Sequence, residues 1–93
     1  MSAQIDRDAD RILAAIAELN RYLGQPADSL VSVVAVRDTS GVPRADFDAA
    51  AIALSRARRV SLVPESNQKA LSAAERRGAV HVGGQDKHAI CLR

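Results

Sequence analysis

Ile5, Ala9, Ile12, Ile16, Leu19 and Leu23 recur at spacings of four and three, with Leu13 and Tyr22 widening the stripe. That period puts them on one side of a helix about five turns long, over roughly residues 5–23. A chain of 93 residues whose longest regular signal is one amphipathic helix must cover that stripe with the rest of its length. Asp6, Asp8 and Asp10 fall in the first turns, where carboxylates favour the helix dipole, and Gly24 with Pro26 ends the helix. The same spacing suits a coiled-coil seam, but fewer than three heptads are present and the stripe is wider than a seam needs. Core packing is the better reading, and a homodimer through the first helix is the alternative.

The remaining segments are shorter. After the "GQPAD" loop, Leu30 and Val31 read as a short strand, and Ser32 can cap a brief helix over 33–38, although its β-branched valines also suit a strand. "DTSG" forces a turn, and Pro43 opens a further helix at a position where its missing N–H costs nothing. In that helix Phe47, Ala50, Ala51 and Leu54 face inward, continuing to Ala57. "RVSLV" at 59–63 alternates as a strand does, until Pro64. "SAAE" at 72–75 is a capping box that starts one or two helical turns ending at Gly78. "GGQDK" reads as a flexible turn and "HAICLR" as the last strand.

The totals narrow the possibilities. The length allows a single domain, 1–93, with one modest core. Tyr22 and Phe47 are the only aromatic residues, so the core is aliphatic and the stacking platforms that grip single-stranded nucleic acid are not expected. Cys91 has no second cysteine to pair with and reads as a core thiol in the last strand. No apolar run reaches membrane length, and "MSAQIDRDADR" has neither a basic start nor an apolar h-region, so a cytoplasmic protein is expected. His81 and His88 with one cysteine make no zinc spacing, and "GAVHVGG" is not a phosphate loop. No histidine is placed to activate a serine. No catalytic activity, cofactor or metal is therefore expected.

At this point the chain resembles the winged helix-turn-helix superfamily, from about Ile5 to Arg93. The segment "LVSVVAVRDTSGVPRADFDAAAIALSRARRVSLVPE" looks like strand, second helix, turn and third helix running into the wing, and "HAICLR" looks like the returning wing strand. The resemblance implies an α+β winged helix-turn-helix fold, with a three-helix core, a helix-turn-helix over about 32–58 and a small antiparallel β-wing over about 59–93. Two features depart from the pattern. The connection from Pro64 to Lys87 is longer than a simple wing tip, and Asp46 and Asp48 stand where readers of DNA in this superfamily commonly expose basic or amide side chains. The richness in alanine, arginine and aspartate also resembles a high-GC actinobacterial or actinophage coding sequence.

The resemblance implies double-stranded DNA as partner. The charge is uneven along the chain, −3 over residues 1–48 and +5 over 49–93, which suits an anionic partner as well as a solvated basic face. Arg44, Ser55, Arg56, Arg58 and Arg59 would supply third-helix contacts, and Lys69, Arg76, Arg77, Lys87 and His88 wing contacts. Acids at the head of a helix and arginines at its end also satisfy the macrodipole without any ligand. The alternative partner is a protein: a winged-helix interaction module, phage- or plasmid-encoded, that docks on a host protein through an exposed strand edge or through Leu13 and Tyr22 of the first helix.

Overall fold

The computed structural model describes residues 3–93. Met1 and Ser2, which begin the stretch read above as free of an export signal, lie outside the described residues. The described residues form an α+β fold of four helices and two small antiparallel sheets.

The first helix, α1 (Ala3–Tyr22), buries Ala9, Ile12, Ala15 and Ile16 and packs Ile5, Leu13 and Leu19 half-buried beside them. Full burial of a side chain such as Ile12 or Ile16 is worth about 1.5–3 kcal/mol, so this stripe anchors the core. Two expected members are absent from it. Tyr22 is 86% exposed and Leu23 55%. Tyr22 lies six residues beyond Ile16, about 120° away around the axis, and Leu23 falls in the turn that closes the helix. Two polar residues occupy the buried side instead. Asp8 accepts from Gln4 Nε2 at 3.1 and 3.0 Å, and Asn20 Nδ2 donates to the carbonyls of Ala27 and Ser29 at 2.9 and 3.0 Å, pinning the following loop.

Helix α2 (Val33–Ser40) extends two residues beyond the expected end, because the turn is made by Gly41 in the left-handed region (φ 67°) and not by "DTS". Ser32 occupies its N-cap position without a side-chain capping bond, and the Val33 N–H donates to the His88 carbonyl at 2.9 Å. Helix α3 (Arg44–Arg56) buries Phe47, Ala50, Ala51 and Leu54, and α1 packs across both α2 and α3. Ala57, expected to continue the inner face, is exposed at the helix end.

Strands β1 (Val31–Ser32) and β2 (Val60–Val63) are the edges of a sheet whose centre is the last strand, Ala89–Leu92. In that strand Ile90 faces the core, opposite Val31 on one side and Leu62 on the other. Its neighbour Cys91 points to the other face, opposite Ser61, and is half-buried. The reading of Cys91 as a core thiol is corrected by this two-residue alternation.

Between β2 and the last strand the chain makes a 3-10 turn (Gln68–Ala70), helix α4 (Ala73–Gly78) and a hairpin of β3 (Val80–Val82) and β4 (Gln85–Lys87), which makes the last strand β5. The capping box forms as read: Ser72 Oγ accepts from the Glu75 N–H at 3.1 Å, and the Ser72 N–H donates to Glu75 Oε1 at 3.0 Å. Hydrogen bonding to the carboxylate from the Ser72 backbone N–H, and then from the Ser72 side chain, holds the Glu75 carboxyl below the usual carboxylate range. The stretch expected to be only a flexible turn is a structured hairpin, in which Gly83 and Gly84 (φ 64° and 76°) supply two consecutive left-handed residues. Leu71, Gly78, Ala79 and Val80 are buried, so this insertion is packed onto the domain. Among the described residues no helix is long and apolar enough to cross a membrane.

Candidate nucleic-acid interface

Helix α3 presents three faces. Phe47, Ala50, Ala51 and Leu54 form the buried one. On the opposite side Ala45, Ala49 and Arg56 are exposed, and at 100° per residue they lie within an arc of about 40°. Arg44, Asp48 and Ser55 lie on the flank between, toward the insertion, with Asp48 and Ser55 half-buried. The outward stripe thus carries small side chains ending in an arginine, with no acid among Ala45, Ala49 and Arg56.

The flank is organised by Arg37 of α2. Its Nε donates to the Gly78 carbonyl at 2.6 Å, and its Nη2 donates to Asp48 Oδ1 at 2.6 Å and to the Ala79 carbonyl at 3.3 Å. Its guanidinium also lies over the Phe47 ring, 4.5 Å from the centroid. The side chain is 11% exposed, and Nη1 is buried without a hydrogen-bond partner, which offsets part of the gain. Asp48, which stands where basic or amide side chains were expected in a reader of DNA, is paired with Arg37 instead. Asp46 is half-buried in the first turn of α3, where the dipole favours it. Arg37 was not among the residues expected to matter. Its position one turn before Gly41 gives no signal, because its partners lie 11, 41 and 42 residues away in sequence.

Exposed arginines gather at both ends of α3. At the C-terminal end stand Arg56, Arg58 and Arg59, joined by Arg93, whose N–H donates to the Arg59 carbonyl at 3.1 Å. Arg58 is the only non-glycine residue of positive φ, 60°, among the described residues. The bonds around it, Arg58 N–H to the Ser55 carbonyl and Arg59 N–H to the Leu54 carbonyl, repeat those around Gly24 at the end of α1, from Gly24 to Arg21 and from Gln25 to Asn20. The same terminating motif is thus built once with glycine and once with arginine. At the N-terminal end of α3, Arg44 donates through Nη2 to the Arg77 carbonyl, which places α4 beside it. Arg76 donates to the Gln68 carbonyl at 3.0 Å, next to exposed Lys69. Arg44 and Arg56 are about 18 Å apart along the helix axis at 1.5 Å per residue.

The remaining expected contacts separate from these groups. Lys87 is half-buried in β4, with Nζ donating to Gln85 Oε1 at 2.9 Å. His88 is 8% exposed, which corrects its expected place among the wing contacts. Its N–H donates to Val63 and its carbonyl accepts from Val33, so the backbone is drawn into the sheet, while Nδ1 accepts from the Glu65 N–H at 3.1 Å.

His88 also bears on catalysis. A hollow of about 270 Å³ is lined by Ser32, Glu65, Glu75 and His88, among others. Within it the Nδ1 of His88 is already engaged by the Glu65 N–H, so that nitrogen is not free to accept from Ser32. His81 is exposed and bonds Asp86 Oδ1 at 2.8 Å across its hairpin. Among the described residues no group of three or more His, Cys, Asp or Glu side chains could hold a metal ion.

No family model, curated protein or solved structure matches the chain.

Proposed function

We propose that the protein is a cytoplasmic, non-enzymatic regulator of winged-helix architecture that binds double-stranded DNA with α3. The order α1, β1, α2, α3, β2 and returning strand β5, with β5 between β1 and β2, supports that architecture, with α4 and the β3–β4 hairpin as an elaborated wing. A helix with small outward side chains can approach the floor of a major groove about 12 Å wide. Arginines about 18 Å apart at its two ends then reach the phosphates bordering the groove.

The observation that carries the reading is Arg58. A left-handed conformation costs a side-chain-bearing residue about 1–2 kcal/mol, and glycine performs the same turn at the end of α1 without that cost. An arginine kept in a strained position, between two other exposed arginines, is explained by what its guanidinium contacts. Arg58→Gly should therefore raise stability by about 0.5–1 kcal/mol, the strain relief less the greater chain entropy of glycine. It should also weaken DNA binding and flatten the salt dependence by about one unit of slope. Urea denaturation reads the first effect and fluorescence anisotropy on labelled duplex the second.

With wild-type protein, neutralising four to six phosphates predicts a slope of log affinity against log salt of about −4 to −5. Absence of binding at low salt would end the DNA reading.

A partner protein is the second reading, and one observation favours it. Among the described residues the large apolar side chains left exposed are Tyr22, Leu23 and Leu30 (50% exposed), and all belong to the end of α1 and the loop that Asn20 pins. A chain that ignores DNA at low salt but is captured through this segment by a host protein, or pairs with itself, would fit that alternative.

A further inference from the structure

Between the N-terminal half of α1 and the C-terminal end of α3 lies a groove of about 220 Å³. Ala9, Leu13 and Leu54 give it an apolar floor, Asp6 and Asp10 stand on the α1 side, and Arg59 stands beyond the end of α3. All three charged residues are exposed, and the ion pairs among the described residues are Arg37–Asp48 and His81–Asp86. The carboxylates and the guanidinium therefore line one cleft with no direct ion pair between them.

The helix itself gains little from this arrangement beyond Asp6 in its first turn. Like charges four residues apart on a helix destabilise it slightly, and Asp10 lies beyond the first turn, where the dipole no longer rewards an acid. A ligand with an ammonium at one end and a carboxylate at the other, joined by methylenes, would satisfy both sides and cover the floor. Arginine is suited to grip the carboxylate through two parallel N–H donors. The volume is below the usual range for drug-sized ligands, so a small molecule suits it.

We propose that this groove binds a short aliphatic ω-amino carboxylate. The site goes beyond the DNA reading, and its test uses the protein alone, so either can fail without the other.

The probe is δ-aminovalerate, followed by amide NMR, with pentylamine and pentanoate as partners that each lack one charge. Binding should saturate at millimolar concentrations and shift amides in 6–13 and 53–59. Each single-charge probe should bind weaker by about threefold or more, the scale of one partly exposed charge pair. Asp10→Asn and Arg59→Gln should each weaken δ-aminovalerate by a similar factor, with unchanged melting confirming that the variants are folded. No saturable shift at tens of millimolar, equal shifts from all three probes, or shifts confined to other segments would each overturn the assignment.

Discussion

Arg37→Ala is expected to cost about 2–3 kcal/mol of stability, less than a fully buried ion pair broken from one side because the Asp48 side chain is 35% exposed and can be rehydrated. The loss exceeds that of one surface contact because three acceptors are stranded together: Asp48 and the carbonyls of Gly78 and Ala79. The Phe47 ring also loses the cation lying over it. Asp48→Asn should cost clearly less, since Arg37 retains both carbonyls. Urea denaturation of the two single variants and the double variant measures the coupling. Hydrogen exchange at 78–80 should speed up in Arg37→Ala, because the insertion loses its attachment to α2. A loss near or below about 1 kcal/mol, the scale of an exposed pair, would mean that the insertion docks by apolar packing alone.

Gly78→Ala is expected to destabilise by about 1–3 kcal/mol through overpacking. A Cβ at Gly78 would meet Val34 Cγ2 at 2.4 Å, and a valine in a helix has almost no alternative rotamer. The close approach of α4 to α2 is what brings the Gly78 carbonyl to Arg37, so the added methyl should also lengthen that bond. Val34→Ala in the same chain should restore part of the loss by making room. If the double variant is no more stable than Gly78→Ala alone, the methyl acts elsewhere than against Val34.

The elements set by local chemistry were legible in the residues. The α1 stripe, the buried face of α3 at Phe47, Ala50, Ala51 and Leu54, and the capping box at Ser72 and Glu75 each depend on residues within a few positions of one another. The β3–β4 hairpin was also signalled, by apolar alternation in "VHV" before Gly83-Gly84, but the glycines were read as mere flexibility. Tyr22 was misplaced because the stripe was drawn too wide, about 120° past Ile16, and Leu23 because it falls in the turn that closes the helix.

Of the candidate site, the sequence by itself determined which cations exist and that most of them follow residue 49. It also determined that small side chains at Ala45 and Ala49 share one face of α3, because a 3.6-residue period fixes that geometry whatever surrounds the helix. Only the tertiary structure decided which charges remain free. Arg37 of α2 captures Asp48 of α3, 11 residues further on, and the same side chain holds the Gly78 carbonyl of α4 from 41 residues away; His88 leaves the surface because its backbone joins both β2 and the start of α2. Those outcomes depend on desolvation and on partners distant in sequence, which no local pattern encodes. Arg58 falls between the two. Its place at a helix end is written in the chain, but its left-handed backbone arises because the chain must turn there to enter β2.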